Sequence, residues 1–170
     1  MAIETCGLPE AALLKRYRDG DGYTDCYFVD IPDRVSQTEY VTAFYTTWVF
    51  KLERWLLKWL VSRPSSDLQA RALAAGELDA FAAWTVEARA SDQLLLCDFH
   101  GRTRSWLMSS VVPERQGTRL FFGSAVVPGS RKATGQARMG LAFTALLGFH
   151  RLYSRILLRA AARRLARRSA

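Results

Sequence analysis

The spacing of apolar residues along this chain changes period twice, and the changes divide it into three parts. Residues 9–18, PEAALLKRYR, predict a short helix with proline near its start, and DGDG at 19–22 breaks it. Residues 23–31, YTDCYFVDI, are rich in aromatic and β-branched types and predict a strand. Ser36 to Glu39, SQTE, has the form of a capping box ahead of an apolar run. The helix it opens is predicted over 37–63, with a break near Thr46–Thr47, because β-branched residues restrict side-chain rotamers inside a helix. Pro64 forces a stop. Ser66 as N-cap and Gly76 beyond the last turn bracket a third helix.

The helical period then gives way to alternation. Residues 79–89, 93–99, 103–112 and 118–127 are four strand-like runs joined by short connections, which predicts an antiparallel meander. A loop is predicted at 128–136, and one long helix over 137–168. Strands grouped together with helices on one face define an α+β fold. A long amphipathic helix lying across a curved antiparallel sheet gives a helix-grip arrangement, with a cavity between helix and sheet.

Alternation also predicts which residues share a face. An even-length hairpin loop, either His100–Gly101 or Gly101–Arg102, puts Leu95, Cys97 and Phe99 on one face with Arg104, Trp106 and Met108, whereas a three-residue HGR loop would place Arg104 and Trp106 outside. Carried across the neighbouring turns, the same parity adds Trp84, Val86 and Ala88, then Leu120, Phe122, Ser124 and Val126. That face is mostly apolar. The other, with Thr85, Glu87, Arg89, Asp98, Thr103, Ser105 and Ser109, suits solvent. Asp98 therefore points away from Cys97 and Arg104, and the compact group in CDFHGRTR does not form one constellation.

Three stretches, LLLCDFHGRTRSWL (94–107), GTRLFFGSAVVPG (117–129) and LLGFHRLYSRILL (146–158), together with the strand-then-helices order of the first half, resemble the START-like, helix-grip superfamily. This polyketide cyclase and lipid-transport group includes small bacterial proteins of unknown function. The meander here shows four strands where six are usual. The resemblance implies a cavity for sterols, lipids, polyketides or hormones, and in some members a cyclase activity. It implies no catalytic residue, since the group shares no catalytic motif.

At 170 residues, 49% hydrophobic and 24% charged, the chain has the size and composition of one globular domain, 1–170. Residues 1–22 form an N-terminal extension, and 155–170 the basic end of the long helix. The three cysteines are widely spaced, without CxxC pairs, so neither a disulfide framework nor a zinc site is suggested, and a reducing cytoplasm is the expected setting. No signal peptide is visible, and the longest apolar run, 139–149, is too short for a bilayer span of about 20 residues. Net charge is +8, and every one of the 16 acids lies before residue 115. The last 56 residues carry 12 bases and no acid.

The expected activity is non-covalent binding of a small hydrophobic molecule, with no cofactor or metal. Trp84, Cys97, Arg104, Trp106, Phe122, Ser124, His150 and Tyr153 are the candidate lining residues. Arg104 on an apolar face needs a partner, either a protein carboxylate such as Glu53 or an anionic group on a ligand. Cys97 has no base beside it and reads as a structural thiol. His100 reads as a turn residue. His150 lies on the apolar stripe of the terminal helix with Met139, Phe143, Leu146, Tyr153, Leu157 and Ala160, where it could line the cavity or serve as an acid–base group. A cyclase, hydratase or isomerase using His150 and Glu53 is the alternative activity. A peripheral protein attracted to an anionic membrane surface through Arg155, Arg159, Arg163 and Arg167 is a further one. The absence of a motif or of aromatic interleaving argues against nucleic acid.

Overall fold

The computed structural model of the protein describes residues 1–18, 22–52, 65–112, 116–127 and 141–167. Glu53, the loop 128–136 and the first turn expected for the terminal helix lie outside the described residues, as does Met139.

Seven strands form one open antiparallel sheet. They are β1 (Glu4–Thr5), β2 (Tyr23–Ile31), β3 (Ala80–Phe81), β4 (Trp84–Ala90), β5 (Gln93–Asp98), β6 (Thr103–Val112) and β7 (Gly117–Val126), in the spatial order β1-β2-β7-β6-β5-β4-β3. The meander runs from β4 to β7, and β2 closes onto the outer side of β7. The helices are α1 (Gln37–Tyr45), α2 (Asp67–Ala75) and α3 (Leu141–Ala166). The fold is thus α+β, with the C-terminal helix α3 packed on β2, β7 and α1.

Local chemistry sets the helix ends. Ser36 and Ser66 both complete reciprocal capping boxes, with Glu39 and Gln69 respectively. Gly76 closes α2 in the left-handed conformation at φ 85°, which costs a glycine nothing. Helix α1 stops at the two threonines. Thr46 Oγ1 donates to Thr42 O at 2.6 Å and Thr47 Oγ1 to Phe44 O at 2.9 Å. Thr47 then accepts from Phe50 N at 3.2 Å, so it caps the helical turn of residues 48–52.

One sheet face carries Tyr27, Val29, Ile31, Leu94, Leu96, Leu107, Leu120 and Phe122, buried against Tyr40, Phe44, Leu73, Leu157 and Leu158 of the helices. The other face is covered as well. Cys26, Leu95, Trp106, Met108, Phe121 and Ala125 pack under Leu8, Ala12, Leu13, Leu14 and Tyr17. The N-terminal stretch forms a 3-10 helix, Leu13–Tyr17, rather than an α-helix, and it is built into the fold instead of extending from it. Gln93 pins it. Its Oε1 accepts from Trp106 Nε1 and from Leu13 N, both at 2.9 Å, and its Nε2 donates to Ala11 O at 3.0 Å. Gly123 permits the close approach, because a Cβ there would lie 2.9 Å from Leu14 Cδ2 and from Trp106 Cε3.

Register corrects the face assignment at two places. The hairpin at 98–103 has the expected even parity, with Cys97 opposite Arg104 and Leu95 opposite Trp106. Gly101 takes φ 69° at its tip, His100 is a turn residue, and Asp98 Oδ1 accepts from Arg102 N and Thr103 N at 2.7 and 2.8 Å. The next hairpin pairs Val112 with Gly117, one residue tighter than the sequence reading. That slip moves Leu120, Phe122, Ser124 and Val126 to the face away from Trp106, which meets Gly123 instead. In β4 a bulge at Glu87 breaks the alternation. Ala88 pairs with Leu95 as expected, but Val86 pairs with Leu96 and Trp84 with Asp98, on the helix-covered face.

Candidate functional site

A cleft of about 190 Å³ opens between the sheet and α3. Phe44 and Tyr45 of α1, Phe50, Trp84, Phe122 and Leu157 supply apolar walls. Thr103, Ser105, Ser124, His150, Tyr153 and Ser154 supply the polar lining. The bulge and the tighter hairpin bring Trp84, Phe122 and Ser124 to this side, and α3 brings His150 and Tyr153. Six of the eight residues singled out from the sequence therefore border one place, Arg104 among them.

The other two do not join them, and the Arg104 guanidinium is engaged elsewhere. Cys97 and Trp106 lie on the opposite face, and Trp106 is fully buried with its indole N–H held by Gln93. Arg104 contributes to the strand that borders the cleft, but its guanidinium leaves on the far side. Its Nε donates to Glu87 Oε2 at 2.8 Å, and it stacks over the Tyr17 ring at 4.8 Å. The carboxylate that neutralises Arg104 is thus Glu87, supplied by the bulge in β4, where the sequence pointed to Glu53 or to a ligand. Burial works against the Arg104 charge, yet its hydrogen bonds to Glu87 and Tyr17 outweigh that and raise its pKa. Cys97 is raised by burial and so keeps its proton, as a structural thiol does.

At the polar end of the cleft stands a group centred on Asp25, which the sequence reading left out. Asp25 is buried on β2, directly opposite Ser124 on β7. Its Oδ1 accepts from Ser124 Oγ at 2.6 Å and from Ser124 N at 3.1 Å. Its Oδ2 accepts from the hydroxyls of Tyr23 and Tyr27, both at 3.3 Å. Burial, then the nearby Asp25 charge, raises the pKa of both tyrosines and keeps them protonated as donors. His150 Nε2 lies 2.6 Å from Ser124 Oγ and 3.5 Å from Asp25 Oδ2.

The geometry assigns protons. The serine hydrogen goes to Asp25, so the serine oxygen accepts from His150, and Nε2 carries the hydrogen. This is a serine, a histidine and an aspartate without the logic of a nucleophilic triad, in which the carboxylate holds the ring nitrogen remote from the serine. Here the carboxylate holds the serine, and both together orient the imidazole. In the neutral ring, Nδ1 is left as the acceptor. A signal for Asp25 was available, since Tyr23, Asp25, Tyr27, Val29 and Ile31 alternate along one strand face, and an acid among such neighbours requires several donors.

Ser154 completes the polar lining. It is 1% exposed, and its Oγ has no hydrogen-bond partner among the described residues. Buried hydroxyls are usually satisfied, so an orphan on the wall of a cleft is a departure from the rule.

A second cysteine relationship also escaped the spacing. The pairing of β1 with β2 brings Cys6 beside Cys26, with the sulfurs 3.2 Å apart. This hydrogen bond lowers the Cys6 pKa and, together with burial, raises that of Cys26.

Among the described residues no group of three histidine, cysteine or acidic side chains is placed to hold a metal ion. Nor is any of their helices long and apolar enough to cross a membrane. No family model, curated protein or solved structure gives a significant match to the chain.

Proposed function

We propose that the protein binds a small apolar molecule bearing one hydrogen-bonding group, held between the sheet and α3 in the manner of a helix-grip protein. One observation carries this reading: the buried, unpartnered Ser154 hydroxyl lines an aromatic cleft one helical turn from the anchored His150. Apolar walls with a few fixed polar groups are the usual make-up of a small-molecule site. The strand order also supports it, since the meander, extended by β2 and backed by α3, places the cleft between sheet and helix. At about 190 Å³ the cleft is smaller than the pockets of roughly 300–1,000 Å³ that take drug-sized ligands, so the molecule is compact.

Trp84, Phe122 and Phe44 exclude water from the apolar body of the ligand. Ser154 and His150 Nδ1 meet its polar group, and Tyr153 borders the opening. Native mass spectrometry of protein purified from its host, folded against denatured, should reveal a co-purifying small molecule. 2-Naphthol, a compact apolar phenol, should raise the melting temperature, and this effect should shrink in Ser154→Ala and His150→Ala. A chain that carries no molecule, and whose melting temperature 2-naphthol leaves unmoved, overturns the reading.

A further inference from the structure

The outer side of α3 bears a second feature, independent of what the cleft holds. Leu152, Ile156, Arg159, Arg163 and Arg167 recur at spacings of four, three, four and four. At 3.6 residues per turn this keeps them within about 80° of one helix face. The stripe is apolar at its start and basic at its end. Arg151 and Arg155 do not belong to it. They turn to the sheet, where Arg151 Nε donates to Tyr23 OH at 3.0 Å and Arg155 Nη2 to Thr5 Oγ1 at 3.1 Å.

Beside the stripe runs a groove of about 610 Å³, lined by Thr47, Trp48 and Val49 on one wall and by Ile156, Arg159 and Arg163 on the other. Trp48 is 72% exposed, Leu152 58%, Leu52 53% and Ile156 39%. Four large apolar side chains in water on one pair of neighbouring helical segments need a reason. Among the described residues no carboxylate pairs with Arg159, Arg163 or Arg167, and residues 115–170 contain no acid. The positive charge is therefore not neutralised within its own segment.

We propose that this face docks on a bilayer containing anionic phospholipid. Charge complementarity selects the partner, since three unpaired guanidinium groups match phosphate headgroups, each at about 1 kcal/mol near a charged surface. The apolar half distinguishes a bilayer from nucleic acid. Leu52, Leu152 and Ile156 gain nothing from a phosphate backbone but enter the headgroup–acyl boundary, and Trp48 presents the amphipathic ring that settles at that depth.

The test is sedimentation with phosphatidylcholine vesicles, with and without a minority of phosphatidylglycerol. The protein should sediment with the anionic vesicles only, and less so as salt rises. Arg159→Gln, Arg163→Gln and Arg167→Gln together should weaken binding on the order of a hundredfold, about fivefold for each arginine. Arg34→Gln, Arg71→Gln and Arg102→Gln, three exposed arginines outside the groove, remove the same charge and should leave binding unchanged. Trp48→Ser with Ile156→Ser should weaken it by a further apolar contribution that salt does not screen. All these side chains are exposed, so circular dichroism melts should match the parent and separate lost docking from lost folding. The proposal is overturned by indifference to phosphatidylglycerol, or by equal losses in the two arginine triples. It is also overturned if duplex DNA or RNA binds through the same arginines while vesicles are ignored.

Discussion

Asp25 and Ser124 face one another across β2 and β7, and the serine hydroxyl and amide both donate to the same carboxylate oxygen, at 2.6 and 3.1 Å. Two tyrosine hydroxyls take the other oxygen. A buried acid in an apolar sheet is tolerable only with this many donors, and each donor is left exposed to the same penalty if the acid is removed. Asp25→Ala should therefore cost on the order of 3 kcal/mol, and Ser124→Ala about 1–2 kcal/mol. In urea denaturation the double substitution should cost less than the two singles added, because they share one network. Additive losses would show that the two residues act separately.

Arg104 gives a prediction about what the cleft does not use. Its charge is satisfied by Glu87 on the opposite face. Arg104→Met should lower stability by about 1–3 kcal/mol and leave 2-naphthol binding unaltered. A weakened ligand with unchanged stability would place the guanidinium in the cleft after all.

Gln93 ties the N-terminal stretch to the sheet through three hydrogen bonds. Gln93→Leu keeps the volume but strands the Trp106 indole N–H and the Leu13 amide, both in a packed layer. The expected loss is about 2–3 kcal/mol. Hydrogen exchange at Leu13 should accelerate more than exchange in β6, a difference that a uniform loss of stability would not produce.

At Gly123 the space itself is predictive. An added Cβ would meet Asp25 O, Leu14 Cδ2 and Trp106 Cε3, each at 2.9 Å. Gly123→Ala should destabilise by about 1–3 kcal/mol through overpacking, whereas Gly148→Ala, with open space around it, should be neutral or stabilising. Thermal melts of the two variants decide this, and similar melting temperatures would contradict the close packing.

The cysteines differ in proton affinity. The hydrogen bond between Cys6 and Cys26 lowers the Cys6 pKa, while burial raises that of Cys97. Below the ordinary thiol pKa of about 8.5, Cys6 therefore holds more thiolate and should react with iodoacetamide before Cys97 does. Cys26→Ala removes this partner, returns Cys6 upward and should slow its alkylation. Peptide mapping after brief exposure reads both rates.

What could be read from the chain was what local chemistry determines. Ser36 and Ser66 cap their helices through partners three residues away, and Thr46 and Thr47 end a helix through their own hydroxyls. The parity that puts Cys97 and Arg104 on one face follows from an even-length turn. Reading failed where the outcome depends on a single inserted or omitted residue. One residue fewer between Val112 and Gly117 reverses every side chain of β7, and one extra at Glu87 reverses Trp84 and Val86. Asp25 was missed for a different reason. Its donors include a serine 99 positions away, and nothing near it in the chain announces them. The N-terminal helix was visible as a pattern, but the second apolar face it covers emerges only once the sheet is assembled.

The bulge at Glu87 acts as a phase shifter for the whole edge of the sheet. Trp84 before it looks into the cleft, while Glu87 and Ala88 look toward the N-terminal cover, so one strand serves two compartments with opposite chemistry. Regular alternation through Glu87, with every residue kept, would turn an acid toward the aromatic cleft and the tryptophan out of it. The separation between the aromatic cleft side and the salt-bridged covering side thus hangs on one unpaired position in β4.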